Sequence, residues 1–293
     1  MNKWIMGVLM MGAMITIACT NKQAATGLVF TENDGIFFHK VDKIEVYMLV
    51  EAQREGNAGI LIGADEALLS QFIPESGFTH STNVFLIKAN GRNILVDTGF
   101  GTTIFEKMAK IGVQPDQVDA VLMTHLHGDH IGGLAKDGAA LLPNATLYVS
   151  TLEREYFTEI QVNDGAVAAL AAYGNKVVSF DPGELGATLS AIIPGISPIA
   201  AYGHTPGHTA YLVEDGKDTL LIAGDFLHVG LVQFPNPAIS AIYDVDPEAA
   251  AATRIQLLRY AAEQKIPIGG MHIVYPGIGT VEPLNKGFMF TAQ

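Results

Sequence analysis

Four side chains able to hold a metal ion stand within six residues, His125-Leu126-His127-Gly128-Asp129-His130. Imidazole and carboxylate without thiolate is the donor set of hydrolytic zinc sites and related divalent centres. Such a set suits water activation. A bound cation lowers the pKa of its water from 15.7 toward roughly 7, and two cations about 3.5–4 Å apart clamp the attacking and leaving oxygens. Further donors recur at the ends of later apolar runs: His208, Asp225 and His272. The one cysteine, Cys19, excludes an intramolecular disulfide and a cysteine-rich metal cluster.

These donors need strands to position them. Residues 118–124 (VDAVLMT) are nearly all apolar and run directly into His125, the pattern of a strand buried on both faces. Gly128 allows the bend that turns several side chains toward one point. Apolar runs at 84–87 and 94–96 flank Asn90-Gly91, a hairpin signal, and Asp97-Thr98-Gly99 closes the second run. Strands are expected at 146–149, 188–193, 199–202, 211–213, 219–223 and 267–271, the last ending at His272. Helices are expected at 102–110, 153–160 and 166–173. Asp246-Pro247-Glu248 starts a helix to about residue 264, with a capping Asp, Pro in the first turn and an acid at its positive end. The alternation reads as one α/β domain with two sheets.

The chain has 293 residues, 49% of them hydrophobic, ample to bury a core. Lys plus Arg is 17 against 30 Asp plus Glu, a net charge of −13 that argues against nucleic acid as a partner. Lys3 and the apolar run at 4–18 form a segment shorter than the roughly 20 residues a spanning helix needs, so 1–18 reads as a secretory signal peptide. Thr16-Ile17-Ala18-Cys19 resembles a bacterial lipobox. Residues 19–38 are therefore expected to be an acylated Cys19 plus a tether, and 39–293 the catalytic domain. The expected location is the periplasm, with a lipid anchor to the membrane; release after Ala18 is the alternative.

With HLHGDH at 125–130, the runs TPGHT at 205–209, AGD at 223–225, MHIVYPGIG from 271 and DTG at 97–99 resemble the successive motifs of the metallo-β-lactamase-fold hydrolase superfamily. The resemblance covers roughly residues 40 to 290. It implies a four-layer αββα sandwich with the site at one edge of the two sheets. It implies one divalent ion on His125, His127 and His208, a second on Asp129, His130 and His272, and Asp225 bridging them, with zinc as the first choice. Hydroxide between the two ions is then the nucleophile, and Asp129 the proton carrier to the leaving group. Asp97 is not a ligand in this pattern; it orders the loops beneath. His204 is expected in a structural or supporting role, and His39 at the surface.

Across residues 203 to 281, GHTPGHTAYLV at 203–213, the GD at 224–225, VQF at 232–234, the helix after Asp246 and PGIG at 276–279 resemble the branch of methyl parathion hydrolase-like and quorum-quenching lactonase-like enzymes. It implies hydrolysis of a small-molecule lactone, carboxylic ester or phosphotriester, the first two ahead of the third, and often a homodimer. In the lactonase branch a Tyr at the place of His228 contacts the substrate carbonyl, so His228 is expected to line the pocket. Phe157 and Phe100 are expected as its apolar wall, with core packing as the competing role for each. A β-lactam hydrolase and a non-catalytic metal- or ligand-binding module are the other functions these residues fit. The complete donor set favours catalysis.

Overall fold

The computed structural model describes residues 29–293. The expected signal at 1–18, Cys19 and the tether as far as residue 28 lie outside the described residues. The first sheet has seven strands that neighbour one another in chain order: β1 (Ile36–Val41), β2 (Ile44–Glu55), β3 (Thr79–Ala89), β4 (Arg92–Val96), β5 (Ala120–Leu122), β6 (Thr146–Ser150) and β7 (Val177–Phe180). β1 to β4 are antiparallel, and β4 to β7 are parallel. The second sheet runs likewise in chain order through β8 (Ile196–Ala200), β9 (Thr209–Asp215), β10 (Asp218–Ile222), β11 (Ile268–Gly269), β12 (Ile278–Leu284) and β13 (Gly287–Ala292).

Alternation along the strands fills three apolar layers. Val46, Met48, Phe85, Ile87, Ala120 and Leu122 point from the first sheet toward Tyr211, Val213, Leu220 and Ile222 of the second. Tyr47, Leu49, Leu86, Leu95 and Val121 point the other way, onto helices α1 (Ile104–Lys110) and α2 (Asp164–Tyr173). The outer face of the second sheet, with Leu212, Leu221 and Ile268, packs on Leu257, Leu258 and Ala261 of α3 (Pro247–Gln264). Helix, sheet, sheet, helix is the expected αββα order. β5, buried on both faces, is the hinge of the first sheet: Val121 serves one core while Ala120 and Leu122 serve the other.

The register sets where the chemistry sits. Val96 pairs with Leu122, so Asp97 and the segment leading to His125 leave the sheet at the same edge. In the second sheet Ile222 pairs with Gly269 in parallel. Asp225 and His272 each follow three residues after these partners, so they arrive together. Ligand chemistry at the carboxyl ends of parallel strands is the general rule for such sheets.

Several expectations change. Ile36, Phe37 and Phe38, placed in the tether by sequence, form β1: Ile36 and Phe38 enter one core and Phe37 the other. Residues 188–193 make no strand; Ile193 pairs only as a single bridge with Ile196, because Gly195 at φ 85° turns the chain back at once. The C-terminal hairpin β12–β13 adds two strands to the second sheet. The helix expected at 153–160 is a short α-helix, Thr151–Glu155, followed by a π-helical turn, Tyr156–Ile160. His39 is buried, not at the surface, with Nδ1 2.7 Å from Oε1 of Gln293. Among the described residues no helix is long and apolar enough to cross a membrane.

Candidate metal centre

Three ring nitrogens meet at one point. Nε2 of His125 lies 3.0 Å from Nδ1 of His127, which lies 3.0 Å from Nε2 of His204; the third side, His204 Nε2 to His125 Nε2, is 3.2 Å. Two nitrogens 2.0–2.1 Å from one tetrahedral zinc stand roughly 3.3 Å apart, so the triangle fits a single ion. His204 Nδ1 donates to Asp244 Oδ1 at 2.9 Å, which leaves Nε2 as a lone pair aimed into the triangle. Asp244 is itself fixed by the Ala241 backbone N–H at 2.8 Å and by Arg254, whose Nη2 stands 3.7 Å from its other oxygen.

A second set faces the first. His130 Nδ1 donates to Asp97 Oδ2 at 2.7 Å, and His272 Nδ1 donates to the Ser81 carbonyl at 2.8 Å. Their Nε2 lone pairs therefore point inward, toward Asp129 oxygens 3.8 Å from each. Asp225 Oδ2 lies between the sets, within 3.7 Å of Nε2 of His125, His130, His204, His228 and His272. Lone pairs facing a carboxylate oxygen repel unless a cation or a proton separates them. His130 Nε2 and Asp225 Oδ1 are buried with no hydrogen-bond partner among the described residues. Buried polar atoms are rarely left unpaired, and two in one donor cluster fit a site for cations.

The electrostatics separate the two sets. Burial drives the His125 imidazole well below the usual histidine range, His127 down to about 4 and His204 to about 3, which keeps them neutral as ligands must be. Burial also opposes charge on His130 and His272, but the Asp225 and Asp129 carboxylates outweigh it and raise both. Burial would raise Asp225, yet the imidazoles of His130, His272 and His125 hold its carboxyl well below the usual range.

Asp97 holds the two loops in register. It has φ 61°, and its oxygens accept from the Thr124 backbone N–H at 2.7 Å and the Thr124 hydroxyl at 2.6 Å as well as from His130. The structure brings together His125, His127, Asp129, His130, Asp225 and His272 of the expected donors. It does not bring in His208. His208 Nδ1 donates to the Ala201 carbonyl at 2.8 Å and Nε2 accepts the Asp225 backbone N–H at 2.9 Å, so neither nitrogen is free to bind an ion. His204 occupies the place expected for it. Gly224, at φ 60°, makes the His208 contact possible, since a Cβ there would stand 2.4 Å from His208 Nε2.

Phe157 is also corrected. It is buried in the core with its ring edge-on to His127 at 5.6 Å, so it backs that imidazole and does not line the cavity. Phe100, 40% exposed, and His228, buried, do line a cavity of about 320 Å³ over the donors. The His228 ring stacks on His272, and its Nδ1 has no partner among the described residues.

Sequence reasoning missed Glu153, Asp244 and Arg54. Buried Glu153 accepts from the Leu126 backbone N–H, the Thr205 hydroxyl and the Gly207 backbone N–H, tying the two donor loops together. Burial pushes its carboxyl up to about 7. No spacing signal marks these residues; they lie far from the motifs in the chain.

Residues 77–268 match the family model described as the metallo-beta-lactamase superfamily. A hydroxyacylglutathione hydrolase of Francisella tularensis subsp. novicida is 32% identical over 133 residues, 44% of this chain and 42% of that protein. The chain thus spans less than half the length of that curated relative. Among solved structures, AbOPH, a hydrolase in the beta lactamase superfamily, is 26% identical with a TM-score of 0.78, covering 88% of this chain and 97% of its own. AidC, a dizinc quorum-quenching lactonase, has the same TM-score of 0.78 and the same coverage, 88% and 97%, at 22% identity, a likeness of fold.

Proposed function

The chain belongs to the metallo-beta-lactamase superfamily, and from that premise we propose that it is a hydrolase of lactones or carboxylic esters that works with two divalent ions, zinc first. The observation that carries this is the pair of donor sets meeting at Asp225 Oδ2. His125, His127 and His204 would hold one ion, Asp129, His130 and His272 the other, with Asp225 shared. When bound, such ions supply acidified water at neutral pH and polarise the oxygen of the bond to be cleaved.

The chain's own residues do the rest. The Asp129 side chain, 23% exposed, faces the cavity and can pass a proton to the leaving oxygen. His228 lines the cavity and would contact the substrate carbonyl. His228 and His272 also line a second, larger cavity of about 890 Å³, walled by Phe72, Phe78, Phe234, Ile273 and Phe288. An apolar arm on the substrate would fill it, which favours esters and lactones with alkyl or aryl groups. The signal at 1–18 and acylation at Cys19 would place the enzyme on a periplasmic membrane face. Mass spectrometry of the mature N-terminus checks that part separately.

The test of the activity is metal analysis followed by a substrate panel of homoserine lactones, aryl esters, paraoxon and nitrocefin. The expected result is two equivalents of metal, turnover of lactones or aryl esters, loss of turnover on chelation and recovery with zinc. Asp225→Ala should lose at least about a hundredfold. Turnover that survives chelation overturns the proposal, and nitrocefin as the best substrate replaces it with β-lactam hydrolysis.

A further inference from the structure

The cavity over the donors has one wall that the hydrolytic chemistry leaves unused. β2 and β3 end beside the centre, and there Arg54 is the register partner of His80. Both side chains line the 320 Å³ cavity, together with Asp129, Asp225, His228 and His272. Arg54 is the only Lys or Arg among its lining residues. Its side chain makes no ion pair or hydrogen bond among the described residues, in a chain that carries 30 acidic side chains for 17 Lys and Arg. An arginine left without a carboxylate at the mouth of a cavity is a donor fork with nothing to grip.

His80 is the second, independent observation. It is 6% exposed, its ring stands edge-on to His272 at 4.5 Å, and its Nδ1 is buried with no hydrogen-bond partner among the described residues. Neither ring nitrogen of His80 makes a hydrogen bond among the described residues, so the ring, which lines the cavity, can offer an N–H to a polar atom of a ligand. A neutral imidazole carries one N–H to donate. The cavity therefore offers two donors on its β2–β3 side.

We propose that Arg54 and His80 form an anion-reading subsite, so that the preferred ester or lactone carries a carboxylate on the part that lies over β2 and β3. This rests on the hydrolase reading above and narrows its substrate class. The bond cleaved remains an ester bond: water adds to the carbonyl, the alcohol oxygen leaves with a proton, and the substrate's own carboxylate stays intact at Arg54.

The test uses matched acyl esters on metal-loaded full-length protein: 4-nitrophenyl hemiglutarate, whose acyl chain ends in a carboxylate, against the neutral 4-nitrophenyl valerate. The hemiglutarate should have the lower KM, by about fivefold to tenfold, the scale of an exposed charge-assisted contact. Arg54→Ala should erase that difference by raising KM for the anion alone, with kcat and metal content unchanged. Arg54→Lys should restore part of it, and added salt should shrink it. Calorimetric binding of glutarate gives a readout free of turnover, and it should weaken by a similar factor in Arg54→Ala and in His80→Phe. Equal KM values for both esters, or an Arg54→Ala variant that shifts both alike, overturns the subsite. Arg54-dependent glutarate binding without hydrolysis of either ester would keep the subsite and sink the hydrolase reading, so the two failures are distinct.

Discussion

Which histidine of Gly203-His204-Thr205-Pro206-Gly207-His208 holds an ion is decided by hydrogen bonds, and the decision can be measured. His204→Ala removes one corner of a nitrogen triangle with sides of 3.0, 3.0 and 3.2 Å. Zinc held by four ligands binds with roughly 10–16 kcal/mol of apparent free energy, so one ligand carries about 3–4 kcal/mol. Its loss weakens affinity by roughly 10²–10³-fold. His208→Ala removes no donor. It leaves the buried Asp225 N–H without its acceptor and tilts the carboxylate, which lowers activity by roughly 10–100-fold. The separating assay is metal content after gel filtration, with zinc affinity from a competing chelator. His204→Ala should retain one equivalent and His208→Ala two. His208→Gln, whose Oε1 can accept the Asp225 N–H, should recover to within a few-fold of wild type, while His204→Gln should not. Loss of an ion from His208→Ala with two equivalents kept by His204→Ala would refute the assignment.

Three further outcomes follow from neighbouring contacts. Arg254, buried, donates to the carbonyls of Phe226, Pro237 and Ile239 and pairs with Asp244; Arg254→Met should cost about 3–5 kcal/mol in urea unfolding, and a loss under about 1 kcal/mol would contradict the pairing. Glu153, raised to about 7 from 4.5, keeps its proton in the fold while the unfolded chain loses it, so its contribution to stability is complete below about pH 4.5 and falls as pH rises to 7. The deficit above pH 7 is about 3 kcal/mol, and Glu153→Gln should remove that slope; unfolding midpoints that run parallel for both proteins from pH 4.5 to 8 would discount it. Gly224→Ala should destabilise by at least ~2 kcal/mol, because it strains a left-handed backbone and drives a Cβ against His208; a variant with unchanged melting temperature would remove that contact from the account.

Much of this site is visible in the chain because its donors are local. The 125–130 cluster follows a strand whose burial on both faces is written in its composition, and Asp225 and His272 end strands of the same kind. What the chain hides is decided at long range. His204 and His208 share residue type and loop, and only the Ala201 carbonyl and the Asp225 N–H, supplied by other segments, tell them apart. Phe157 admits cavity wall or core packing on the chain alone, and only the packed domain shows it in the core against His127. β1 escaped notice because Ile36, Phe37 and Phe38 form an unbroken apolar run, where a strand facing two cores shows no alternation. Arg54 and His80 come together only through the β2–β3 register.

The strands of each sheet follow the chain in order, so the donors divide cleanly between two halves: one group leaves β5, and the other flanks β9 and follows β10 and β11. The seam between them is already stitched by Tyr211 to the Met123 carbonyl, by Thr209 to the Thr124 carbonyl and by Asn83 to the Gly270 carbonyl. Ions seated across that seam would act as a rivet. The catalytic apparatus and the fastening of the two halves would then be the same few atoms, and neither half could drift in evolution without loosening the other.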